Sequence, residues 1–318
     1  MPIVSVTRTP PGLPKVLGAE VRVRSDERPT REELLAFVKG SAVVITMYSD
    51  KVDNEFLDAA GPQLLGVCNF AVGYENIDLE ACRRRGVKAT NTPNAVTEGT
   101  ADMAWTLILG AARRIIEADR YARSPEYPRR GNLGMAEFLG LDLTGRTLHI
   151  VGAGRIGFAV AMRSRGWGMR VCYTARGRHW DFELAPLAAE RVELLEGLRR
   201  ADVVSIHCPL TPQTRHLINR DALAVMKPTA ILVNTARGPI VDESALVEAL
   251  DSGRLYAAGL DVFEHEPVVH PGLIANPRVV LSPHIGSGAE RYRVMMTEMA
   301  CENAAAIIAG AEPPNRIA

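Results

Sequence analysis

Three apolar segments in the second half of the sequence each end beside an ionisable residue. The segments ILVNTARG, AAGLDVFEHEP and VVLSPHIGS carry Arg237, Glu266 and His284, respectively. Such segments are typical of strands in a parallel sheet, and ligands of open parallel sheets bind beyond the carboxyl ends of the strands. The pattern therefore predicts one site that brings together a guanidinium, a carboxylate and an imidazole.

This combination suits the transfer of a hydride to a 2-oxo acid. The carbonyl oxygen gains negative charge as the hydride arrives and must then receive a proton, which an imidazole can supply near neutral pH. A neighbouring carboxylate favours the imidazolium form and orients the ring. A guanidinium can bind the substrate carboxylate and polarise the carbonyl. We therefore predict Arg237, Glu266 and His284 as catalytic residues, with His265 as the alternative imidazole.

Taken singly, an arginine at a strand end more often forms a surface ion pair, and a histidine there more often has a structural role. A glycine-rich turn earlier in the chain favours the functional interpretation. Gly152, Gly154 and Gly157 form G-x-G-x-x-G between the apolar segment TLHIV and a helical pattern. In that context the first glycine permits a tight turn, the second lets the backbone approach a pyrophosphate, and the third lets the helix pack on the strand. The turn predicts a dinucleotide site.

The segment VCYTARGRH, about twenty residues past the glycine turn, lacks the acidic residue that usually holds the ribose 2′-hydroxyl in such units. It carries Thr174, Arg176 and Arg178 instead. Guanidinium groups form strong charge-assisted hydrogen bonds with phosphates, and a threonine can donate its hydroxyl. We therefore predict NADP(H) as the cofactor, with NAD as the alternative if the two arginines are only solvated surface charges.

The elements that position these residues alternate along the chain. Strand patterns occupy 3–7, 21–24, 42–46, 64–68, 147–151, 170–174, 202–208, 230–234, 257–262 and 279–282. Helical patterns occupy 30–40, 52–60, 97–124 and 288–310, and Thr30 and Glu33 predict a capping box at the first of them. Apolar strands separated by helices predict an α/β fold with parallel sheets covered on both faces. The polar segment 125–134 follows the long third helix, which we expect to pass from one domain to the next.

Composition narrows the class of protein. The chain has 318 residues, which suffices for about two domains. Its formal net charge of zero argues against a nucleic-acid partner or an anionic membrane. The five cysteines form no CxxC pair, so we expect no metal site, no disulfide scaffold and a reducing cytoplasm. Neither a signal peptide nor a run of about eighteen apolar residues is present.

The chain resembles the D-isomer-specific 2-hydroxyacid dehydrogenases, and within them the glyoxylate/hydroxypyruvate reductase branch. The resemblance rests on AVGYENIDLEACRRRGVKATNTPNAVTEGTADMAW (71–105), VGAGRIG (151–157), HCPLTPQTRHLI (207–218), MKPTAILVNTARGPIVDESALVEAL (226–250), AAGLDVFEHEP (257–267) and SPHIGS (282–287). It implies a two-lobed fold. Residues 1–98 and 288–318 would form a flavodoxin-like substrate domain, and residues 99–287 a Rossmann-type doubly wound domain.

The resemblance also implies roles for individual residues. Arg237 would anchor the substrate, Glu266 would be the partner of His284, and the backbone at Val72 and Gly73 would receive the substrate carboxylate. Arg155 and Ile156 would meet the pyrophosphate of the cofactor. Further residues would line the cofactor, namely Thr100, Pro209, Thr214, Thr235, Asp261 and Gly286, with Asp261 near the nicotinamide amide. Members of the family are usually homodimers through their cofactor domains.

Two departures bear on the substrate. Family members often carry tryptophans in the arm after the long helix, and residues 125–140 here contain none; Leu133 or Met135 could take that place. Tyr48, in the segment TMYSD, either contributes to the substrate pocket or is a packed surface residue. We predict an NADPH-preferring reductase of glyoxylate and hydroxypyruvate.

Two other functions remain compatible with the sequence. One is another enzyme of the same fold, such as a NAD-dependent D-lactate-type, phosphoglycerate or phosphite dehydrogenase. The other is a non-catalytic dinucleotide-sensing scaffold, like the carboxy-terminal-binding corepressors. The complete set of Arg237, Glu266 and His284 favours an enzyme.

Overall fold

The computed structural model describes residues 1–26 and 28–318, which form two compact units. Unit 1 contains Met1–Thr97 and Ser287–Ala318, and unit 2 contains Glu98–Gly286. Each unit is built around one parallel sheet with helices between its strands. The predicted α/β fold class is therefore confirmed. The substrate and cofactor roles of the two units stay predictions.

Strands and helices alternate through the chain. The strands are β1 (Ile3–Val6), β2 (Glu20–Val23), β3 (Val43–Met47), β4 (Gly66–Phe70), β5 (Lys88–Thr90), β6 (Thr147–Val151), β7 (Arg170–Thr174), β8 (Glu190–Arg191), β9 (Val203–Ile206), β10 (Ile231–Asn234), β11 (Ala257–Leu260) and β12 (Val279–Leu281). The helices are α1 (Arg31–Val38), α2 (Asn54–Ala60), α3 (Leu79–Arg84), α4 (Thr97–Ala112), α5 (Ile115–Arg123), α6 (Glu126–Arg130), α7 (Arg155–Arg163), α8 (Trp180–Glu183), α9 (Leu194–Arg200), α10 (Arg220–Ala224), α11 (Glu243–Asp251), α12 (Pro271–Ala275) and α13 (Glu290–Ile308). No helix among the described residues is both long enough and apolar enough to cross a membrane.

Unit 1 has a five-stranded sheet in the order β2-β1-β3-β4-β5. Helix α13 from the C-terminal segment packs Ala304 and Ile307 into the same apolar cluster as Val4 and Val43 of the sheet. The capping box of α1 forms as predicted, because the Thr30 hydroxyl accepts from the Glu33 amide and the Glu33 carboxylate accepts from the Thr30 amide.

Unit 2 has a seven-stranded parallel sheet in the order β12-β11-β10-β9-β6-β7-β8. Strands β6, β9, β10 and β11 are buried along their whole length, which explains their continuous apolar sequences. The chain starts in the middle of the sheet at β6, proceeds outward to β8, and then returns to the other side at β9. In doubly wound sheets this reversal is the point at which ligands bind, beyond the carboxyl ends of the strands.

The single helix predicted over 97–124 is wrong, because the structure contains two helices. Helix α4 ends at Ala112 and α5 begins at Ile115, with Arg114 between them at a φ of 52°. The Leu141 amide donates to the Ala112 carbonyl at 2.8 Å. That bond comes from a segment distant in sequence, so the local helical pattern did not contain it. The short strands β5 and β8 were also absent from the sequence prediction.

Candidate active site

The three catalytic candidates follow three neighbouring strands of unit 2. Arg237 lies after β10, Glu266 after β11 and His284 after β12, and β10, β11 and β12 are adjacent and parallel in the sheet. The parallel arrangement brings their carboxyl ends to one edge. The structure therefore places the guanidinium, the carboxylate and the imidazole at that common edge.

His284 and Glu266 form a hydrogen-bonded pair. The Nδ1 atom of His284 lies 2.8 Å from Oε2 of Glu266, and the side chains are 25% and 28% exposed. The other carboxylate oxygen accepts from the Phe263 amide at 3.0 Å. Burial raises the pKa of Glu266, but its contacts lower this pKa by more, so the net shift is downward. The contacts are the hydrogen bond and charge of His284, the hydrogen bond from the Phe263 amide, and the charge of Arg237. The Glu266 carboxylate is thus held ionised. It contacts His284, whereas His265, the alternative imidazole, is exposed.

The loop that carries His284 is fixed by Asp261, the residue that follows β11. His284 has a φ of 55°, a backbone conformation that a residue with a side chain adopts only when its surroundings hold it there. Its amide donates to the Asp261 carbonyl at 2.8 Å. The Asp261 carboxylate accepts from Ser282 and from the amides of Ile285 and Gly286 at 2.6–2.9 Å.

The structure therefore gives Asp261 a role that the sequence did not suggest, since its carboxylate orients the histidine loop. Burial raises the pKa of Asp261, while four contacts oppose that rise: the Ser282 hydrogen bond, the Ile285 amide, the charge of His284 and the Gly286 amide. Both oxygens accept hydrogen bonds from the protein. Contact of Asp261 with a nicotinamide amide stays a prediction.

Arg237 is half-buried at the start of a turn that Asn234 closes. The Asn234 side chain is buried; it accepts from the Ala236 amide at 3.0 Å and donates to the Arg237 carbonyl at 2.9 Å. The turn is packed closely, because a Cβ on Gly238 would lie 1.9 Å from the backbone of Phe263. Asn234 and Gly238 thus set where the guanidinium leaves the sheet, and neither was singled out in the sequence.

The glycine turn between β6 and α7 has the form of a phosphate cradle. Gly152 has a φ of 105°, and a Cβ there would lie 2.5 Å from the amide nitrogen of Cys208. A Cβ on Gly157 would lie 2.3 Å from the Gly152 carbonyl oxygen. Among the described residues, no atom lies within 4 Å of a Cβ built on Gly154, and no side chain caps α7. Open space before an uncapped helix N-terminus fits a pyrophosphate. Arg155 and Ile156 supply the first amides of that helix.

The other predicted cofactor residues divide into two groups. Thr235 has a buried hydroxyl with no hydrogen-bond partner in the described part of the chain, as expected of a group that awaits a ligand. Thr100 and Gly286 lie together, since a Cβ on Gly286 would be 3.5 Å from the Thr100 hydroxyl. The Thr214 hydroxyl, in contrast, donates to the Pro209 carbonyl at 2.7 Å. Thr214 and Pro209 therefore shape their loop through this bond.

The three residues predicted to hold a 2′-phosphate differ in what they contact. Thr174 donates its hydroxyl to the Val192 carbonyl at 2.9 Å, so it is not the spare donor that the sequence suggested. Arg178 is paired with Glu183 and lies over the ring of Trp180, at 4.3 Å from the ring centroid. Arg176 is exposed, and its guanidinium has no hydrogen bond or ion pair with any described residue. Of these three residues, only Arg176 has a cation that pairs with no described residue, and contact of any of them with a 2′-phosphate stays a prediction.

The substrate-binding candidates of unit 1 lie in two loops. The Val72 carbonyl accepts from the side chain of Asn91 at 2.7 Å, and the Gly73 carbonyl accepts from Asn69 at 2.8 Å. Within the described residues, the amides of Val72 and Gly73 donate to no protein acceptor. Tyr48 follows β3 and is 38% exposed. The roles of these residues toward a substrate stay predictions.

Comparison with known proteins agrees with this geometry. The family model described as D-isomer specific 2-hydroxyacid dehydrogenase, NAD binding domain, matches residues 105–286. The glyoxylate reductase of Thermococcus onnurineus is 48% identical over 300 residues, which cover 94% of this chain and 89% of that protein. A crystal structure of a protein from Thermus thermophilus is 44% identical with a TM-score of 0.92, covering 99% of this chain and 100% of that one. The NADPH-dependent glyoxylate/hydroxypyruvate reductase of Sinorhizobium meliloti, solved with NADP and malonate, is 31% identical with a TM-score of 0.85, covering 100% of this chain and 97% of that one.

The fold and the site define an oxidoreductase that uses a nicotinamide dinucleotide. The glycine cradle and the orphaned Thr235 hydroxyl fit such a cofactor. The chain belongs to the D-isomer-specific 2-hydroxyacid dehydrogenase family, and within it is similar to the glyoxylate reductases. The family and the enzyme class predicted from the sequence are confirmed.

Proposed function

We propose that this enzyme reduces glyoxylate and hydroxypyruvate to the corresponding 2-hydroxy acids with NADPH as the preferred reductant. The observation that carries the proposal is the pair of His284 and Glu266, 2.8 Å apart, at the same sheet edge as Arg237. Relatives at 44–48% identity are named glyoxylate reductases, which supports the same substrate class.

The proposed reaction divides the work among three side chains. A reduced nicotinamide dinucleotide, held by the glycine turn between β6 and α7, would supply the hydride that carbon 2 of the substrate receives. His284 gives a proton to the carbonyl oxygen, so that the carbonyl becomes a hydroxyl group. Because Glu266 binds Nδ1, the proton leaves from Nε2 of the imidazolium ring. The Glu266 carboxylate favours the charged ring before the transfer and orients it.

Arg237 has a different task, which is to bind the substrate carboxylate. Its guanidinium can form two parallel hydrogen bonds to a carboxylate, which fixes the orientation of a small 2-oxo acid. Its positive charge also stabilises the negative charge that develops on the carbonyl oxygen. In unit 1, the amides of Val72 and Gly73 donate to no acceptor among the described residues and are of the type that binds a carboxylate.

The preference for NADPH rests on the loop after β7. An acidic residue there would repel a 2′-phosphate, and the segment Thr174–Arg178 contains none. Arg176 is exposed in this loop, and its guanidinium pairs with none of the residues that the structure describes. We assign Arg176 as the residue that contacts the 2′-phosphate, because a guanidinium forms charge-assisted hydrogen bonds to phosphate oxygens.

Steady-state rates with glyoxylate, hydroxypyruvate and pyruvate, each with NADPH and with NADH, test the proposal. We expect the highest kcat/KM for glyoxylate or hydroxypyruvate with NADPH. His284→Ala should lower kcat by a factor on the order of 10²–10⁴, and the exposed neighbour His265→Ala serves as the matched control. Turnover of His284→Ala close to that of the control would overturn the assignment of the acid.

The homodimer and the cytoplasmic location predicted from the sequence stay predictions. Analytical ultracentrifugation of the purified enzyme with and without NADPH tests the homodimer. A sedimentation coefficient of a 34.5 kDa species under both conditions would contradict it.

A further inference from the structure

The loop after β7, which we call the arginine loop (residues 175–179), is fastened at both ends. At its start, the Thr174 hydroxyl donates to the Val192 carbonyl at 2.9 Å. At its end, the His179 amide donates to the Tyr173 hydroxyl at 2.9 Å, and that hydroxyl donates to Glu183 at 2.6 Å. The loop is therefore a built feature of unit 2, with its backbone held by groups outside it.

Arg191 holds the middle of the arginine loop. It lies in the two-residue strand β8, opposite Tyr173 of β7. Its Nε and Nη2 atoms donate to the Ala175 carbonyl at 3.2 and 3.0 Å, and Nη2 also donates to the Arg176 carbonyl at 3.2 Å. One guanidinium thus bridges the two carbonyls on either side of the Cα atom from which the Arg176 side chain projects.

The side chain of Arg178 is held by contacts with Glu183 and Trp180. Its pairing with Glu183 and its position over Trp180 keep it on the outer edge of the sheet. A groove of about 460 Å³ on that edge is lined by Arg178 and Arg191, and by four carboxylates, those of Glu183, Glu190, Glu193 and Glu196. Arg178 pairs with Glu183, and Arg200 pairs with Glu190 and Glu196, so most of the charges along the groove are already matched. Within the described part of the chain, the arginine of this loop that pairs with no residue is Arg176.

The arrangement of Arg176 and Arg191 suggests that the two arginines have different roles. Carbonyl oxygens carry partial negative charge, and two of them beside Arg176 would weaken its attraction for a phosphate. Arg191 satisfies both and fixes the backbone that aims the Arg176 side chain. Bonds between a guanidinium and a carbonyl are charge-assisted, so this support is stronger than that of a neutral side chain.

We propose that Arg191 is a positioning residue for recognition of the phosphorylated ribose, and that it acts through the conformation of the loop that carries Arg176. The inference deepens the proposed preference for NADPH and rests on it. It concerns one chemical group, the 2′-phosphate of the adenosine ribose. Arg191 stands outside the sequence motif of the loop and reaches it from a different strand.

Calorimetric titration of the intact enzyme with 2′,5′-ADP and with 5′-AMP measures this recognition without turnover. We expect the wild type to bind 2′,5′-ADP more tightly. Arg191→Met should weaken 2′,5′-ADP about tenfold and leave 5′-AMP within about twofold, as expected from the loss of one charge-assisted interaction. Arg191→Lys should be intermediate. Arg200→Met is the matched control, because it removes a cation paired with Glu190 and Glu196 on the same edge without contacting the loop carbonyls.

A double-variant cycle separates positioning from direct contact. If Arg191 acts through Arg176, then Arg191→Met should have little further effect on 2′,5′-ADP in an Arg176→Met background. An undiminished effect in that background would overturn the positioning role. If Arg191→Met leaves the ratio of the affinities for 2′,5′-ADP and 5′-AMP unchanged, the inference about Arg191 is overturned while the NADPH preference stands. A wild type that does not distinguish 2′,5′-ADP from 5′-AMP would overturn the proposed NADPH preference itself.

Discussion

Replacement of Glu266 by Gln removes the charge beside His284 and keeps a side chain of the same shape. The Gln carbonyl oxygen can still accept from the imidazole, so the hydrogen bond at the position of the 2.8 Å contact is retained in neutral form. The Phe263 amide, which now donates to the other carboxylate oxygen at 3.0 Å, would face the Gln amide group. The variant therefore removes the charge beside the imidazole and also the acceptor of the Phe263 amide.

The magnitude follows from the geometry of the pair. A hydrogen bond to a charged group contributes about 1.5–3 kcal/mol, more than a neutral bond. Both side chains are only about a quarter exposed, so screening by water reduces this value little. Because Gln keeps a neutral hydrogen bond worth about 0.5–1.5 kcal/mol, the loss at this contact is about 1–1.5 kcal/mol, which corresponds to roughly a 5- to 13-fold fall in the rate that depends on it.

The assay is steady-state glyoxylate reduction at saturating NADPH, with kcat and KM determined separately for the wild type and for Glu266→Gln. Because Glu266 lies 2.8 Å from Nδ1 of His284, the proposed proton donor, we expect kcat to fall by roughly 5- to 13-fold. The KM for glyoxylate should change by less than about threefold, since Glu266 does not bind the substrate in this proposal. A kcat of Glu266→Gln equal to that of the wild type would refute the role of Glu266 in supporting the imidazole.

Three further predictions follow from the same structure. Gly154→Ala should leave the melting temperature unchanged and weaken NADPH binding about tenfold or more in a fluorescence titration. Gly157→Ala should lower the melting temperature, because its Cβ would lie 2.3 Å from the Gly152 carbonyl oxygen. Arg237→Lys should lower kcat/KM for glyoxylate by roughly tenfold or more in steady-state assays, since an ammonium cannot form the bidentate contact; unchanged kinetics would contradict the anchoring role. Burial lowers the pKa of His149 to about 4 in the folded state, whereas the unfolded state keeps a pKa of about 6.5. As pH falls from about 6.5 to 4, this histidine is protonated in the unfolded state but not in the folded state, so the free energy of unfolding falls across that range. Urea unfolding measures the free energy of unfolding at about pH 7.5 and pH 5. Between these two pH values, His149→Gln should lose about 2 kcal/mol less of this free energy than the wild type, and equal losses would contradict the prediction.

Local sequence signals predicted ten of the twelve strands in the described part of the chain correctly, and fewer of the helices. The continuous apolar character of strands such as β6 and β10 identified a parallel sheet, because strands buried on both faces need apolar residues at every position. The capping box of α1 and the glycine turn before α7 were also readable, since both depend on residues within one turn of each other. Contacts across the fold ended α4 at Ala112, where the bond from Leu141 competes with the helix.

The candidate site shows the same division. The residue types and order of Arg237, Glu266 and His284 were sufficient to predict their chemistry, because parallel strands bring their carboxyl ends together. The contact between the last two, 18 residues apart, was compatible with the sequence but is a fact of the structure. The role of Asp261 in holding the loop of His284 was not visible, since its bonds cross from one strand end to the next.

The sequence by itself determined the fold class and the glycine turn, and it predicted the acid, the carboxylate and the cation, because those properties depend on side-chain type and local spacing. Tertiary structure decided which cations are committed and which are available. Arg176 and Arg178 look alike in the segment TARGRH, yet Glu183 and Trp180 bind only the second, and Arg191 reaches the loop from another strand. A side chain's availability depends on the partners that folding brings within a few ångströms of it, and those partners lie outside the motif that identifies it.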